Sequence, residues 1–230
     1  MWIVGITGVI GAGKSSVARA LVDLGGHWLN ADQMARQAIE PNTEGWQLVI
    51  DRFGHDLLQP GGQINRALLA TRLGHDQERW QQLEQIIHPR VRQLQAIALF
   101  HLAQQDQQAV ALLDIPLLFE TGAEQLCDST VAVLCGSSQQ QRLQQRGGMM
   151  NPSQQAVQQA MMARQLSEQQ KRQRADRVID NSGPWADTQQ QVATLWQQLT
   201  EEYATATDRV WPLLWSPFLP ANLPTHHFFG

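Results

Sequence analysis

Cysteine is scarce in this sequence: only Cys127 and Cys135 occur among 230 residues, with no CxxC spacing. Both fall in or beside an apolar run, so they read as reduced buried thiols; a disulfide is possible but unsupported, and a reducing cytoplasm fits. Charge is scarce as well. Asp, Glu, Lys and Arg make up 17% of the chain, and 17 basic against 21 acidic residues leave a net charge of −4. No global basic field exists to recruit nucleic acid, so any anion site must be local. Long hydrophobic runs are missing too: none approaches the roughly 20 residues that span a bilayer. The N-terminus shows no basic n-region or cleavage site and reads as a strand, not a signal peptide. What remains is a chain with 43% hydrophobic residues, whose length suits one α/β domain with insertions or a main domain with small satellites. Glutamine supplies much of the polar surface, within amphipathic patterns such as Arg142 to Arg146.

The most informative stretch is Gly8-Val9-Ile10-Gly11-Ala12-Gly13-Lys14-Ser15-Ser16. An apolar β-prone run, residues 2–7, precedes it, and Val17, Ala18, Leu21 and Leu24 follow at helical spacing. The order is strand, glycine loop, helix, and the spacing fits a Walker A phosphate loop. Glycines let successive N–H groups aim at one point, and the helix adds the positive end of its dipole. Lys14 can reach the β/γ-phosphates of ATP, and the Ser15 hydroxyl can join the shell of a bridging Mg²⁺.

Further along, His27-Trp28-Leu29 reads as a second short strand that delivers Asn30-Ala31-Asp32 at its C-terminal end, where open α/β sheets gather ligands. Asp32 is open to two readings: an N-cap for a helix over residues 33–39, or a carboxylate that accepts a proton from an attacking hydroxyl in line with a γ-phosphate. Residues 41–103 are mainly helical, with breaks at Pro41-Asn42, residues 59–62, Gly74 and His88-Pro89. A block of this length between strands is a helical subdomain. Its arginines, with Arg36, Arg66, Arg90 and Arg92 the candidates, either contact an anionic acceptor or sit solvated on helix surfaces. His88 either shapes a turn or meets a substrate phosphate.

Residues 109–114 form an apolar run closed by an acid, the profile of a central parallel strand, and Asp114 resembles a Walker B carboxylate for Mg²⁺. Pro116 takes the following segment out of the sheet. Strands at 129–135 and 177–181 complete the set, and their helical separations imply a parallel, helix-covered sheet. The arm 138–174 carries Arg142, Arg146, Arg164, Lys171, Arg172 and Arg174 around a glycine joint. Opposite a phosphate loop, it reads as a lid that brings positive charge to the phosphoryl group and excludes water. Residues 184–205 predict a closing amphipathic helix. The proline- and tryptophan-rich tail after it predicts no regular element, and it wraps its own domain or docks on a neighbouring subunit.

The chain resembles the dephospho-coenzyme A kinase family across roughly residues 2–200. The loop from Gly5 to Ser16 is similar to the family's N-terminal signature. Asn30-Ala31-Asp32 stands where the family usually has Asp-Ala-Asp; His88-Pro89, the Pro116-Leu117-Leu118-Phe119-Glu120 run, and Ala175-Asp176-Arg177-Val178-Ile179-Asp180-Asn181-Ser182-Gly183 match further motifs in order. The resemblance implies an α/β fold: a five-stranded parallel sheet of the P-loop NTPase type with helices on both faces, a helical substrate-binding insertion and a helical lid. The expected division is a core from residues 1–32, 104–137 and 175–205, an acceptor-binding subdomain at 33–103, a lid at 138–174 and a tail at 206–230.

By the same resemblance, Lys14, Asp32 and Arg142 carry catalysis, with Asp32 as base. Gly11, Ala12, Gly13, Lys14, Ser15, Ser16, Arg146, Asn181 and Gly183 bind ATP. Asp32, Arg36, His88, Pro116 and Leu117 face the acceptor, and Ser15 and Asp114 hold Mg²⁺. The implied reaction phosphorylates the ribose 3′-hydroxyl of dephospho-coenzyme A in the cytoplasm, with no nucleic acid or membrane partner and with self-association left open. The alternatives are another small-acceptor or nucleotide P-loop kinase, or a non-catalytic ATP-binding regulatory module.

Overall fold

The computed structural model describes every residue except 75, 137–151, 207–210, 212, 222 and 224–230. Five strands form one sheet: β1 (Trp2–Gly8), β2 (His27–Asn30), β3 (Val110–Asp114), β4 (Ser129–Leu134) and β5 (Arg177–Asp180). Their spatial order is β2-β3-β1-β4-β5 and every pairing is parallel. The helices are α1 (Lys14–Asp23), α2 (Ala31–Gln37), α3 (Glu44–Phe53), α4 (Arg66–Leu73), α5 (Gln77–Gln105), α6 (Pro152–Arg164), α7 (Glu168–Arg174) and α8 (Trp185–Thr205).

Strand periodicity divides the core between the two faces of the sheet. Trp2, Val4 and Ile6 of β1, with Val110 and Leu112 of β3, pack with Val17 and Leu21 of α1 and Val192, Leu195 and Leu199 of α8. The alternate residues Ile3, Ala111 and Leu113 pack on the other face with Ala96, Leu99, Phe100 and Ala103 of α5. Both faces are dry, so every residue of β1, β3 and β4 is buried and the strands read as continuous apolar runs.

Trp211 and Trp215 of the tail join the second face, and Trp215 is fully buried with its Nε1 donating to Leu126 O at 2.8 Å. The tail therefore covers its own sheet. It also contains a 3₁₀ turn at Ser216–Phe218, where the sequence reading expected no regular element.

Three helices make a separate small core from Val49, Ile50 and Phe53 of α3, Leu69 and Leu73 of α4, and Leu83 near the start of α5. The 29-residue helix α5 thus begins in this insertion and ends on the sheet. The break expected at His88-Pro89 is absent: Pro89 lies inside α5. A mid-helix proline removes one backbone donor, and at this turn the guanidinium of Arg90 donates from Nη1 to Ile86 O at 2.7 Å. Asn30, Thr43, Asn65, Asp76 and Ser167 cap α2, α3, α4, α5 and α7 through their side chains, which fixes where each helix starts.

Candidate active site

β1 ends in Gly8, and a side chain there is impossible: a Cβ would lie 2.5 Å from Val133 O on the neighbouring strand. The chain then turns through Gly11 and Gly13, both at positive φ (89° and 87°), conformations in which a Cβ is strained. Gly13 is the N-cap of α1, with no side-chain cap and no acid in the first turn. The start of α1 thereby keeps its donors and dipole directed at the loop, an arrangement suited to a phosphate. Lys14 is half-buried and Ser15 and Ser16 are exposed there.

The loop is also held from outside. Asn181 donates from Nδ2 to Ala12 O at 2.7 Å and accepts from Thr188 Oγ1 at 3.0 Å. Gln165, after α6, accepts from Ile10 N at 3.0 Å through Oε1 and donates from Nε2 to Pro116 O at 3.3 Å. Asn181 is therefore a buried buttress for the loop backbone, while Gly183 is exposed.

The sheet register brings the acidic residues to the same edge. Asp114, the last residue of β3, pairs with Ile6 on one side and Asn30 on the other. It is buried, and among the described residues its Oδ1 has no hydrogen-bond partner. Burial raises its pKa; Lys14 and the Trp28 side chain pull it down, and Asp32 pushes it up. One buried carboxylate thus feels both the lysine of the loop and the aspartate in the first turn of α2. Asn30, not Asp32, caps α2, accepting from Gln33 N at 3.0 Å. That removes the capping reading of Asp32: α2 begins at residue 31 instead of 33, and Asp32 is exposed.

Asp32 opens into a cavity of about 250 Å³ lined by Ala35, Leu83, His88, Val91, Arg92, Pro116 and Leu117. Of the residues expected to face the acceptor, Asp32, His88, Pro116 and Leu117 meet here. Arg36 does not line it; it is exposed near Arg66 and adds to the lowering of that guanidinium's pKa, after burial. Burial lowers the His88 pKa, with Arg92 and Arg164 adding to the shift and Glu84 opposing it.

The arm gave the largest surprise. Lys171 was expected among the charges facing a phosphate, yet it is fully buried. Its Nζ donates to Glu120 Oε1 at 2.7 Å, Pro116 O at 3.0 Å and Thr7 Oγ1 at 3.2 Å. Arg174 pairs with Glu124 and lies over Phe119, and Arg164 pairs with Glu84 beside Trp80. Arg142 and Arg146 lie outside the described residues. The sequence reading missed Gln165, Trp28 and the Lys171–Glu120 pair; only Glu120 lay within a recognised motif. Among the described residues neither cysteine forms a disulfide, and burial raises the Cys127 thiol far above its ordinary range.

A five-stranded parallel sheet in this order, with a glycine loop after β1, an acid at the end of β3 and another just past the end of β2, defines a phosphate-loop kinase of the α/β class. A family model for dephospho-CoA kinase matches residues 2–187, and the chain belongs to that family. The dephospho-CoA kinase of Syntrophotalea carbinolica is 37% identical over 200 residues, covering 86% of this chain and 92% of that protein. The Moorella thermoacetica enzyme of that name is 33% identical, covering 89% and 95%. A crystal structure of a Thermus thermophilus protein superposes with a TM-score of 0.67 at 31% identity over 86% of this chain and 97% of its own.

Proposed function

We propose that this chain transfers the γ-phosphoryl group of ATP to the ribose 3′-hydroxyl of dephospho-coenzyme A, giving coenzyme A and ADP. The observation that carries this reading is the end of β3, where the buried carboxyl of Asp114 pairs in register with Asn30 and feels both Lys14 of the loop and Asp32, which lines the cavity. The loop amides and the Lys14 ammonium hold the β- and γ-phosphates. The exposed carboxylate of Asp32 takes the proton of the acceptor hydroxyl and orients its oxygen in line with the γ-phosphorus. Pro116 and Leu117 give the acceptor an apolar wall. Arg142 and Arg146 supply the lid's charge in this scheme.

The buried Oδ1 of Asp114, unpartnered among the described residues, and the Ser15 hydroxyl would hold Mg²⁺ in a site of few protein ligands. Bound there, the ion neutralises charge on the phosphates. The division into core, acceptor insertion at 33–103, lid at 138–174 and tail is part of the same reading. So are a cytoplasmic setting and the lack of a nucleic-acid partner; among the described residues no helix is long and apolar enough to cross a membrane.

A coupled ADP-release assay with and without dephospho-coenzyme A tests the reaction. Acceptor-dependent ADP is expected, and Asp32→Asn should reduce turnover by roughly 10²–10⁴-fold with ATP affinity kept. ATP binding without acceptor-dependent release would favour a regulatory module instead, and wild-type turnover in Asp32→Asn would remove the base.

A further inference from the structure

The cavity beside Asp32 contains two arginines in different circumstances. Arg164 is already paired with Glu84. On α5, two residues before Arg92, Arg90 is held by Glu44 at 2.8 Å and by Ile86 O. Arg92 lines the cavity, and among the described residues no carboxylate forms an ion pair with it. Its guanidinium carbon lies 5.6 Å from the ring centroid of Phe218, in the tail.

A guanidinium within about 6 Å of an aromatic centroid is held by the ring's quadrupole. A carboxylate partner would occupy up to two N–H donors and cancel the charge. The ring does neither, so Arg92 is fixed in place with its positive charge available to the cavity. The ring itself is well anchored. Phe218 packs edge-on to the fully buried Trp215, with centroids 5.9 Å apart at 64°. Its N–H donates to Trp215 O at 3.0 Å, and the Trp215 indole is tied to Leu126 O. Phe218 and Leu219 pack against the same cluster as Leu99 and Phe100 of α5.

We propose that the tail turn at Ser216–Phe218 is part of the acceptor site: Phe218 is a positioning residue that holds Arg92 to bind the diphosphate of the acceptor. This rests on the acceptor reading above. Dephospho-coenzyme A carries its negative charge on the diphosphate attached to the 5′ carbon of the ribose whose 3′-hydroxyl is phosphorylated. A base for that hydroxyl and a cation for that diphosphate must therefore share one cavity, as Asp32 and Arg92 do. The family match ends at residue 187, so the residue doing the positioning lies in a part of the chain that the family pattern does not describe.

The test uses the full chain and three variants, Phe218→Leu, Phe218→Trp and Arg92→Gln, with melting temperature measured alongside. Phe218→Leu should raise the KM for dephospho-coenzyme A about three- to tenfold, leaving the KM for ATP within twofold. Phe218→Trp should restore the acceptor KM that the leucine loses. Arg92→Gln should raise the acceptor KM about 10–100-fold, and adding Phe218→Leu should then cost little more. An unchanged acceptor KM in Phe218→Leu, equal rises in both KM values, or full additivity with Arg92→Gln overturns the proposal. Calorimetric titration with dephospho-coenzyme A separates its failure from that of the underlying reading. Wild-type protein that binds the acceptor without releasing ADP refutes the phosphotransfer, and Arg92 is then judged by whether affinity falls in Phe218→Leu. Wild-type protein that does not bind it refutes both.

Discussion

The glycine loop and the proposed acceptor cavity both act on Asp114, through Lys14 and Asp32, but are built on different principles. The loop is a local object of nine consecutive residues, shaped by two glycines at positive φ and a third with no room for a Cβ. Its chemistry comes from the backbone plus one ammonium. The cavity is assembled from side chains of α2, α5, α6 and the segment after β3, separated by up to 133 residues of chain from Ala31 to Arg164. A backbone site concentrates function in few side chains, whereas a site of distributed walls spreads it.

The sharpest way to break that comparison is Lys14→Ala. Removing the only side chain through which the loop delivers charge should lower kcat/KM for ATP by about 10³-fold, a loss typical of a preorganised electrostatic contact. Truncating one apolar wall residue, as in Leu117→Ala, should cost about three- to tenfold in acceptor KM. Steady-state kinetics on both substrates checks this; a Lys14 effect no larger than a wall effect would erase the distinction.

The next largest effect is expected where the two regions are joined. The Lys171 ammonium ties Thr7, just before the loop, to Pro116 of the cavity wall, with Glu120 as its counter-charge. Lys171→Met leaves Glu120 without its ammonium and should cost about 3 kcal/mol, since breaking a buried pair strands a charge. Melting temperature should fall by roughly 6–12 °C. Pairing it with Glu120→Gln should recover much of the stability while turnover stays low, because the tether between loop and wall is still missing. Turnover returning together with stability would make the pair purely structural.

The contrast also explains what the sequence disclosed. The loop, the five strands and the ends of β2 and β3 were legible because each is a matter of local spacing, and the all-buried strands announce themselves as apolar runs. Lys171 misled because its neighbours Arg172 and Arg174 suggest an exposed basic arm; only the fold reveals Glu120 against it. Pro89 misled because proline ends most helices, yet the long α5 tolerates it. Gln165 and Phe218 carry no local signal, since each acts on a partner more than 100 residues away.

Asp114 supplies a smaller effect of opposite sign, because a ligand site can oppose stability. Its folded pKa is raised, chiefly by burial. The stability this group contributes is therefore fully present below its unfolded value of 3.8 and is lost as pH rises through the raised folded value. Asp114→Asn should stabilise the ligand-free protein at pH 7 by about 1–2 kcal/mol, raising the melting temperature by roughly 2–8 °C. The gain should shrink towards pH 4, and Mg²⁺-dependent ATP affinity should fall. Thermal melts from pH 4 to 8 decide it: a gain that grew towards acid would contradict the stated sign.

The smallest expected effect concerns Asn30, which departs from the Asp-Ala-Asp pattern of the family motif that this stretch resembles. The structure assigns this side chain a mechanical task, accepting from Gln33 N to start α2, one residue before the backbone that presents Asp32. Asparagine and aspartate cap equally well, and alanine does not. Asn30→Asp should therefore leave melting temperature and turnover nearly unchanged, whereas Asn30→Ala should cost about 0.5–1 kcal/mol. Because α2 is short and lines the cavity through Ala31, Asp32 and Ala35, fraying its first turn should also raise the acceptor KM a few-fold while the KM for ATP holds. A gain in turnover for Asn30→Asp would show that charge at this position matters to the chemistry, and would move part of the acceptor site's function from its walls to a single residue, as in the loop.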